Sequence, residues 1–260
     1  MGEAFITFLD ELNNFLPRGM KDRVLIREFN GNPSVKHIVE SMGVPHTEVG
    51  QILVNEQSVN FSHQVHSGDT IIVYPASPEF DHLSGLFHAG KITIEPRFIL
   101  DNHLGKLAKY LRILGVDTLY ENNYHDNQLE QIAVEHTRIL LTRDRQLLMR
   151  KTIRYGYAVH SQIPDEQMIE VIRRFGLTKL ITPFHRCLQC NTTLESVRKE
   201  DILPRLEPLT KKYFHEFHIC SKCDRVYWKG SHYDRMVKLI SKLVEKSGLD
   251  GAQSLSLIHI

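Results

Sequence analysis

Arg138-Ile139-Leu140-Leu141-Thr142-Arg143-Asp144-Arg145 is the stretch on which the fold turns. Three consecutive apolar residues and a threonine make a run of strand length with no polar alternation, the pattern of a strand covered on both faces. The chain on either side fits that reading. Asp126 to His136 and Arg145 to Arg154 carry helix periodicity, and further strand–helix pairs surround them. Arg97-Phe98-Ile99-Leu100-Asp101 precedes a helix from Leu104 to Leu114 that Gly115 closes. Asp117-Thr118-Leu119-Tyr120 precedes the helix from Asp126, and Tyr157-Ala158-Val159-His160 precedes one from Pro164 to Phe175, closed by Gly176. Repeated strand–helix units force parallel strands joined by right-handed crossovers. The expected fold class is therefore α/β, a three-layer α/β/α sandwich with a parallel sheet over residues 97–180.

Ligands of an open parallel sheet bind beyond the carboxyl ends of its strands. Asp101 ends the first strand, Asp126 opens the helix after the second, and Asp144 follows the third; Asp165 is a candidate fourth acid. Carboxylates gathered at one edge repel one another, and a hard cation such as Mg²⁺ or Mn²⁺ offsets that through oxygen ligands. That chemistry points to phosphodiester hydrolysis. Helix capping is the competing role for Asp126 and Asp144. On the helix from Leu104, the apolar stripe leaves Lys106, Lys109 and Arg112 on the opposite face, either simply solvated or, with Arg143 and Arg145, a track for phosphates.

Cys187-x-x-Cys190 and Cys220-x-x-Cys223 are two knuckle-like pairs, the ligand set of a structural Zn²⁺ with no open coordination position. A redox CxxC would need a thioredoxin-like context that is absent here. Lys211-Lys212-Tyr213-Phe214 and Arg225-Val226-Tyr227-Trp228-Lys229 interleave cations with aromatics, suited either to stacking on unpaired bases or to packing around the metal.

Composition narrows the field. The chain has 260 residues, 42% hydrophobic and 24% charged, with 25 Gly and Pro together, which excludes a disordered or collagen-like chain. Lys plus Arg number 32 against 31 acids, so nucleic-acid binding would have to come from a local patch. There is no run of apolar residues long enough for a membrane helix and no signal-peptide start, so the expected location is cytoplasmic, with no membrane partner. Ser254-Leu255-Ser256-Leu257-Ile258-His259-Ile260 has the character of translated sequencing adapter.

These motifs, in order, resemble the PIN-fold ribonuclease family named from the carboxyl-terminal domain of the Mut-seven exonuclease, in which a zinc ribbon follows the nuclease fold. Phe98-Ile99-Leu100-Asp101, Leu104-Gly105-Lys106-Leu107-Ala108, the stretch from Arg138 to Arg145, the cysteine pairs and Val226-Tyr227-Trp228-Lys229-Gly230-Ser231-His232 carry the resemblance. It implies a metal-dependent ribonuclease over 97–180 with Asp101, Asp126 and Asp144 as catalytic acids and ligands of Mg²⁺ or Mn²⁺. RNA is the implied partner, with Lys106, Arg143 and Arg145 as candidate substrate contacts. The zinc ribbon would span 181–236, followed by a C-terminal helix and tail over 237–260. The acid that PIN domains usually carry on a helix between the first and third of these has no clear counterpart.

Before the nuclease-like region, Phe5-Ile6-Thr7-Phe8-Leu9, Val24 to Phe29, Gln51 to Asn55 and Thr70 to Pro75 read as strands, with a helix from Ser34 to Gly43. This ββαββ pattern is that of a β-grasp domain over 1–80, joined by a linker at 81–96 across which few contacts are expected. It resembles the ubiquitin-like, sulfur-carrier-like domain often fused to this family, through Ile52-Leu53-Val54-Asn55 and Val65-His66-Ser67-Gly68-Asp69-Thr70. Carriers end in a free Gly-Gly; here the chain runs on through Tyr74-Pro75, which leaves a binding role, with a protein as possible partner. Two rivals to the ribonuclease stand. One is a non-catalytic adaptor binding RNA or protein through its β-grasp and zinc modules. The other is an aspartyl-phosphate enzyme, which lacks its Asp-x-Asp because Asn102-His103 follows Asp101.

Overall fold

The computed structural model describes residues 1–76 and 96–248. The expected linker lies outside the described residues except at position 96, as does the tail from 249. The chain divides into two compact units, each drawn from separated stretches: Met1–Glu95 with His125–Ala158, and Pro96–Tyr124 with Val159–Ile260.

In the first unit, β1 (Gly2–Phe8), β2 (Leu25–Phe29), β3 (Val49–Val54), β4 (Gln57–Val59) and β5 (Thr70–Pro75) form a mixed sheet in the order β2-β1-β5-β3-β4. The central β1–β5 pair is parallel and the other pairs are antiparallel. Inward Ala4, Ile6 and Phe8 alternate with less buried neighbours along β1, the period-two pattern of a sheet with one covered face. Helix α1 (Val35–Ser41) supplies Val35, Ile38 and Val39 to the core, and the Ser34 side chain caps it by accepting from His37 N. Strand β4 is the one element of this sheet missing from the sequence reading.

The same unit holds α3 (Asp126–Glu135), β8 (Ile139–Thr142), α4 (Arg145–Leu148) and β9 (Gly156–Ala158). β8 and β9 pair in parallel, and every residue of both is buried, as the unbroken apolar run requires. Helix α4 is a single turn instead of the expected three, because after Met149 the chain enters a turn closed by Ile153 N donating to Arg150 O.

In the second unit, β6 (Phe98–Leu100) pairs in parallel with β7 (Thr118–Leu119) through α2 (Gly105–Ile113). Helix α5 (Pro164–Phe175) begins with proline and ends at left-handed Gly176. β10 (Glu195–Val197), β11 (Phe217–Ile219) and β12 (Val226–Tyr227) make a three-stranded antiparallel sheet, with α6 (Lys199–Ile202) and α7 (Pro208–Tyr213) inserted before β11. Helix α8 (Ser231–Lys246) follows. The molecule is thus α/β with parallel strands, a mixed N-terminal sheet and a C-terminal cysteine ribbon. Among the described residues, no helix is long and apolar enough to cross a membrane.

The expectation of few contacts between the β-grasp domain and the rest does not describe the first unit. The buried Glu48 carboxylate accepts the Ala158 N–H at 2.5 Å, and the buried His46 ring bridges Glu40 at 2.7 Å and the Ile153 carbonyl at 2.8 Å. Arg145 donates to the carbonyls of Phe15 at 3.0 Å and Asn14 at 3.3 Å, with its guanidinium 4.9 Å from the centre of the Phe15 ring. Glu48→Ala leaves the buried Ala158 N–H without its acceptor, a loss of about 1–3 kcal/mol. Thermal denaturation should show the lowered midpoint, and hydrogen exchange should show faster exchange along β9.

Candidate functional site

The acids sit where the strand–helix pattern put them, each in a defined local role. Asp144 follows β8 and caps α4, its Oδ1 accepting from Gln146 N at 2.8 Å and Leu147 N at 3.3 Å. The buried Thr142 hydroxyl accepts the Asp144 N–H at 2.9 Å and fixes the turn out of the strand. Both cap bonds fall on Oδ1, which leaves Oδ2 of an exposed carboxylate outside the cap.

Asp101 plays the matching part after β6, its Oδ1 accepting from Asn102 N at 2.6 Å. Asp126 is not the cap of α3. His125 takes that place, with Gln128 accepting the His125 N–H, and Asp126 occupies the first helical position. Its Oδ2 lies 3.4 Å from Arg150, whose guanidinium also holds Glu130 at 2.6 Å and Asn127 at 3.0 Å. Asp126 therefore has a cationic neighbour in Arg150. Asp165 accepts from the Tyr110 hydroxyl at 2.9 Å; burial and then that bond raise the tyrosine pKa. Asp126 and Asp144 belong to the first unit, Asp101 and Asp165 to the second.

Two cations differ from expectation. Arg112 is buried, 3% exposed, instead of lying on a solvated face. It donates to the carbonyls of Thr118 and Tyr120 beyond α2 and of Leu188 and Gln189 in the first cysteine knuckle. A long side chain whose five donors meet convergent carbonyls can be buried although it stands beside lysines in sequence. Arg145, expected to hold substrate, spends its guanidinium on the Asn14 and Phe15 carbonyls. Lys106 and Arg143 remain exposed, Lys106 with its ammonium 5.6 Å from the Tyr110 ring centre.

Among the described residues, the one group of three or more His, Cys, Asp or Glu side chains with ligand atoms within 4.8 Å of one another is Cys187, Cys190, Cys220 and Cys223. Asp101, Asp126 and Asp144 form no such group. The two knuckles are built alike: Cys187 N donates to Thr192 O and Asn191 N to Cys187 O, just as Cys220 N donates to Arg225 O and Asp224 N to Cys220 O. Asn191 and Asp224 close them in the left-handed region, at φ 67° and 59°, where short polar side chains are tolerated.

Cys187 and Cys223 sulfurs lie 3.5 Å apart, and those of Cys190 and Cys220 lie 3.3 Å apart. A tetrahedral ion with bonds of about 2.3 Å sets its sulfurs roughly 3.8 Å apart, so a small relaxation admits Zn²⁺. Burial opposes ionisation of the Cys190 thiol, but hydrogen bonds from Thr192 and Cys220 outweigh it and bring its pKa to about 6. Burial, with the neighbouring cysteines, pushes Cys223 up to about 12. A dication would hold all four cysteines as thiolates.

The ribbon is fastened to the rest of the second unit. Asn191 donates to Asp117 at 2.7 Å and accepts from Thr118 N at 2.9 Å, which buries its amide. Thr182 N donates to Leu114 O, and the Thr182 carbonyl comes so close to left-handed Gly115 that a Cβ there would lie 2.2 Å from it. Gly115 therefore does more than stop α2, because no other residue admits the ribbon at that point.

The family model of the Mut7-C RNAse domain matches residues 96–240, more than half of the sequence. The chain belongs to the Mut7-C RNase family. The Mut7-C ubiquitin model matches residues 1–81, so the chain carries the fused N-terminal domain that the strand pattern suggested. No curated protein and no solved structure matches the chain. Asp101, Asp126, Asp144, Asp165 and the four cysteines all fall within the matched residues.

Proposed function

We propose that this Mut7-C RNase hydrolyses RNA phosphodiester bonds with the help of Mg²⁺ or Mn²⁺ held by Asp101, Asp126 and Asp144. The observation that carries the reading is Asp144: a family match to an RNase domain coincides with an exposed carboxylate fixed at the carboxyl end of a buried parallel strand, one oxygen outside its cap. The donor set suits such an ion, being made of hard carboxylate oxygens. When bound, the ion supplies a hydroxide nucleophile and charge stabilisation for the leaving oxygen.

The chain's own residues orient and hold. Thr142 and the α4 cap fix the Asp144 carboxylate, and Arg145 ties α4 to Asn14 and Phe15. Lys106 and Arg143 are proposed to meet backbone phosphates. Arg150 tempers the charge of Asp126, and Asp126→Asn should slow cleavage. Zn²⁺ on the four cysteines is structural, since four thiolates leave no position for substrate.

Mixed single-stranded RNA incubated with the protein and Mg²⁺ or Mn²⁺ should be cleaved. Omission of the added metal should abolish cleavage. Binding without cleavage in every metal would favour the adaptor instead.

A further inference from the structure

A cavity of about 610 Å³, lined by none of the four acids, opens in the second unit between the cysteine ribbon and the start of α8. Its size lies within the range of about 300–1,000 Å³ typical of small-molecule clefts. Aromatic rings line it: Phe184, Tyr227, Trp228 and Tyr233, with His218 from β11. Phe184 and Tyr233 pack with ring centres 4.2 Å apart, while Trp228 stays 38% exposed at the wall. The His232 side chain lies outside the described residues.

Two features set this cavity apart from ordinary packing around a metal. Phe184 is held at φ 60°, a left-handed conformation costly for a bulky residue, and strain of that kind collects at ligand sites. The chain pins it there by Phe184 N donating to Ile113 O at 3.0 Å and Leu194 N donating to His185 O at 2.9 Å. In addition, the Tyr227 hydroxyl lies 3.1 Å from the Cys187 sulfur and accepts from Leu188 N at 3.2 Å, so the floor of the cavity is anchored in the metal cluster.

We propose that this cavity is a binding pocket for an unpaired nucleobase of single-stranded RNA, stacked against Trp228 and the Phe184–Tyr233 pair. Aromatic faces accept any base, and the mouth supplies what a bare apolar groove lacks. Lys229 stands at the rim, 3.5 Å from Glu216 with both side chains more than half exposed, so it can turn to the phosphate following the stacked base. Exposed His185 and His218 add donors and acceptors for base edges. The pocket rests on the ribonuclease reading and deepens it: it selects strands whose bases are unpaired.

Trp228 is the sole tryptophan of the chain, so all tryptophan emission comes from the wall of this pocket. The zinc-loaded full-length protein, without added Mg²⁺ or Mn²⁺, is titrated with an oligouridylate and with an abasic ribose-phosphate oligomer of the same length. Saturable quenching by the first and none by the second is expected. Tyr233→Ala should weaken the oligouridylate about tenfold, the scale of one lost stacking partner. Lys229→Ala, an exposed change that cannot unfold the ribbon, should weaken it about threefold and flatten its salt dependence. Unchanged Trp228 emission at oligouridylate concentrations that the enzyme cleaves would overturn the pocket while the ribonuclease stands. Quenching without any metal-dependent cleavage would uphold the pocket and remove the nuclease. Quenching by aromatic peptides but not by RNA would overturn the assignment in favour of a protein ligand.

Discussion

Asp144→Asn should reduce RNA cleavage by about 100- to 1,000-fold, the effect of removing one preorganised charge from a transition state, while leaving the protein as stable as before. The separation of the two effects follows from the cap. Asp144 holds Gln146 N and Leu147 N through Oδ1, and asparagine offers a carbonyl oxygen at the same place, ranking beside aspartate as an N-cap. What asparagine cannot supply is the negative charge on the second oxygen. Asp144→Ala removes both and should lose about 1 kcal/mol of stability as well. Asp101→Asn should match Asp144→Asn in activity, because Asp101 stands at the end of β6 as Asp144 does at the end of β8. Cleavage assays beside thermal denaturation decide the matter: wild-type turnover by either asparagine variant would remove these acids from the reaction.

Cys220→Ser should cost the ribbon its metal and its fold. Structural zinc contributes apparent binding free energies of about 10–16 kcal/mol, far beyond what three strands of two or three residues each can supply. The core around the four sulfurs is small: Cys187, Leu194 and Cys220 are buried, with Tyr227 packed against them. Elemental analysis should find one zinc per chain in the wild type and less than half of that in the variant. Circular dichroism should keep the helical signal of the rest, while Trp228 emission shifts to the red. A chain that holds no zinc yet keeps the wild-type Trp228 spectrum would show that the ribbon stands without it.

Much of this was legible because periodicity is a strong signal when it is long. The buried strands β6 and β8, the helices α2, α3 and α5 and the paired cysteine knuckles all announce themselves in runs of residues that burial or metal binding demands. Strand β4 did not, because Gln57-Ser58-Val59 is short, mostly exposed and introduced by Asn55-Glu56, two left-handed residues forming a turn without glycine. Arg112 was misplaced for a different reason. Helical spacing assigns a side chain to a face but says nothing about four carbonyls arriving from Thr118, Tyr120 and the first knuckle, some of them more than 70 residues away. The clasp of Glu48 and His46 on residues 153–158 was equally hidden, since partners more than 100 residues apart leave no local pattern.

The discontinuity of the first unit also orders events during synthesis. The five-stranded sheet is complete once residue 75 has left the ribosome, but the backbone amide that Glu48 will receive belongs to residue 158. At about 5–20 residues per second, the nascent sheet waits roughly 4–17 s for that partner. It then offers a finished surface on which α4 and β9 can settle. The second unit begins before that event and ends after it, and its last two thiols emerge about 30 residues behind the first two. The four-thiol site is therefore assembled well after the N-terminal sheet is finished, and only then can a metal ion close the ribbon.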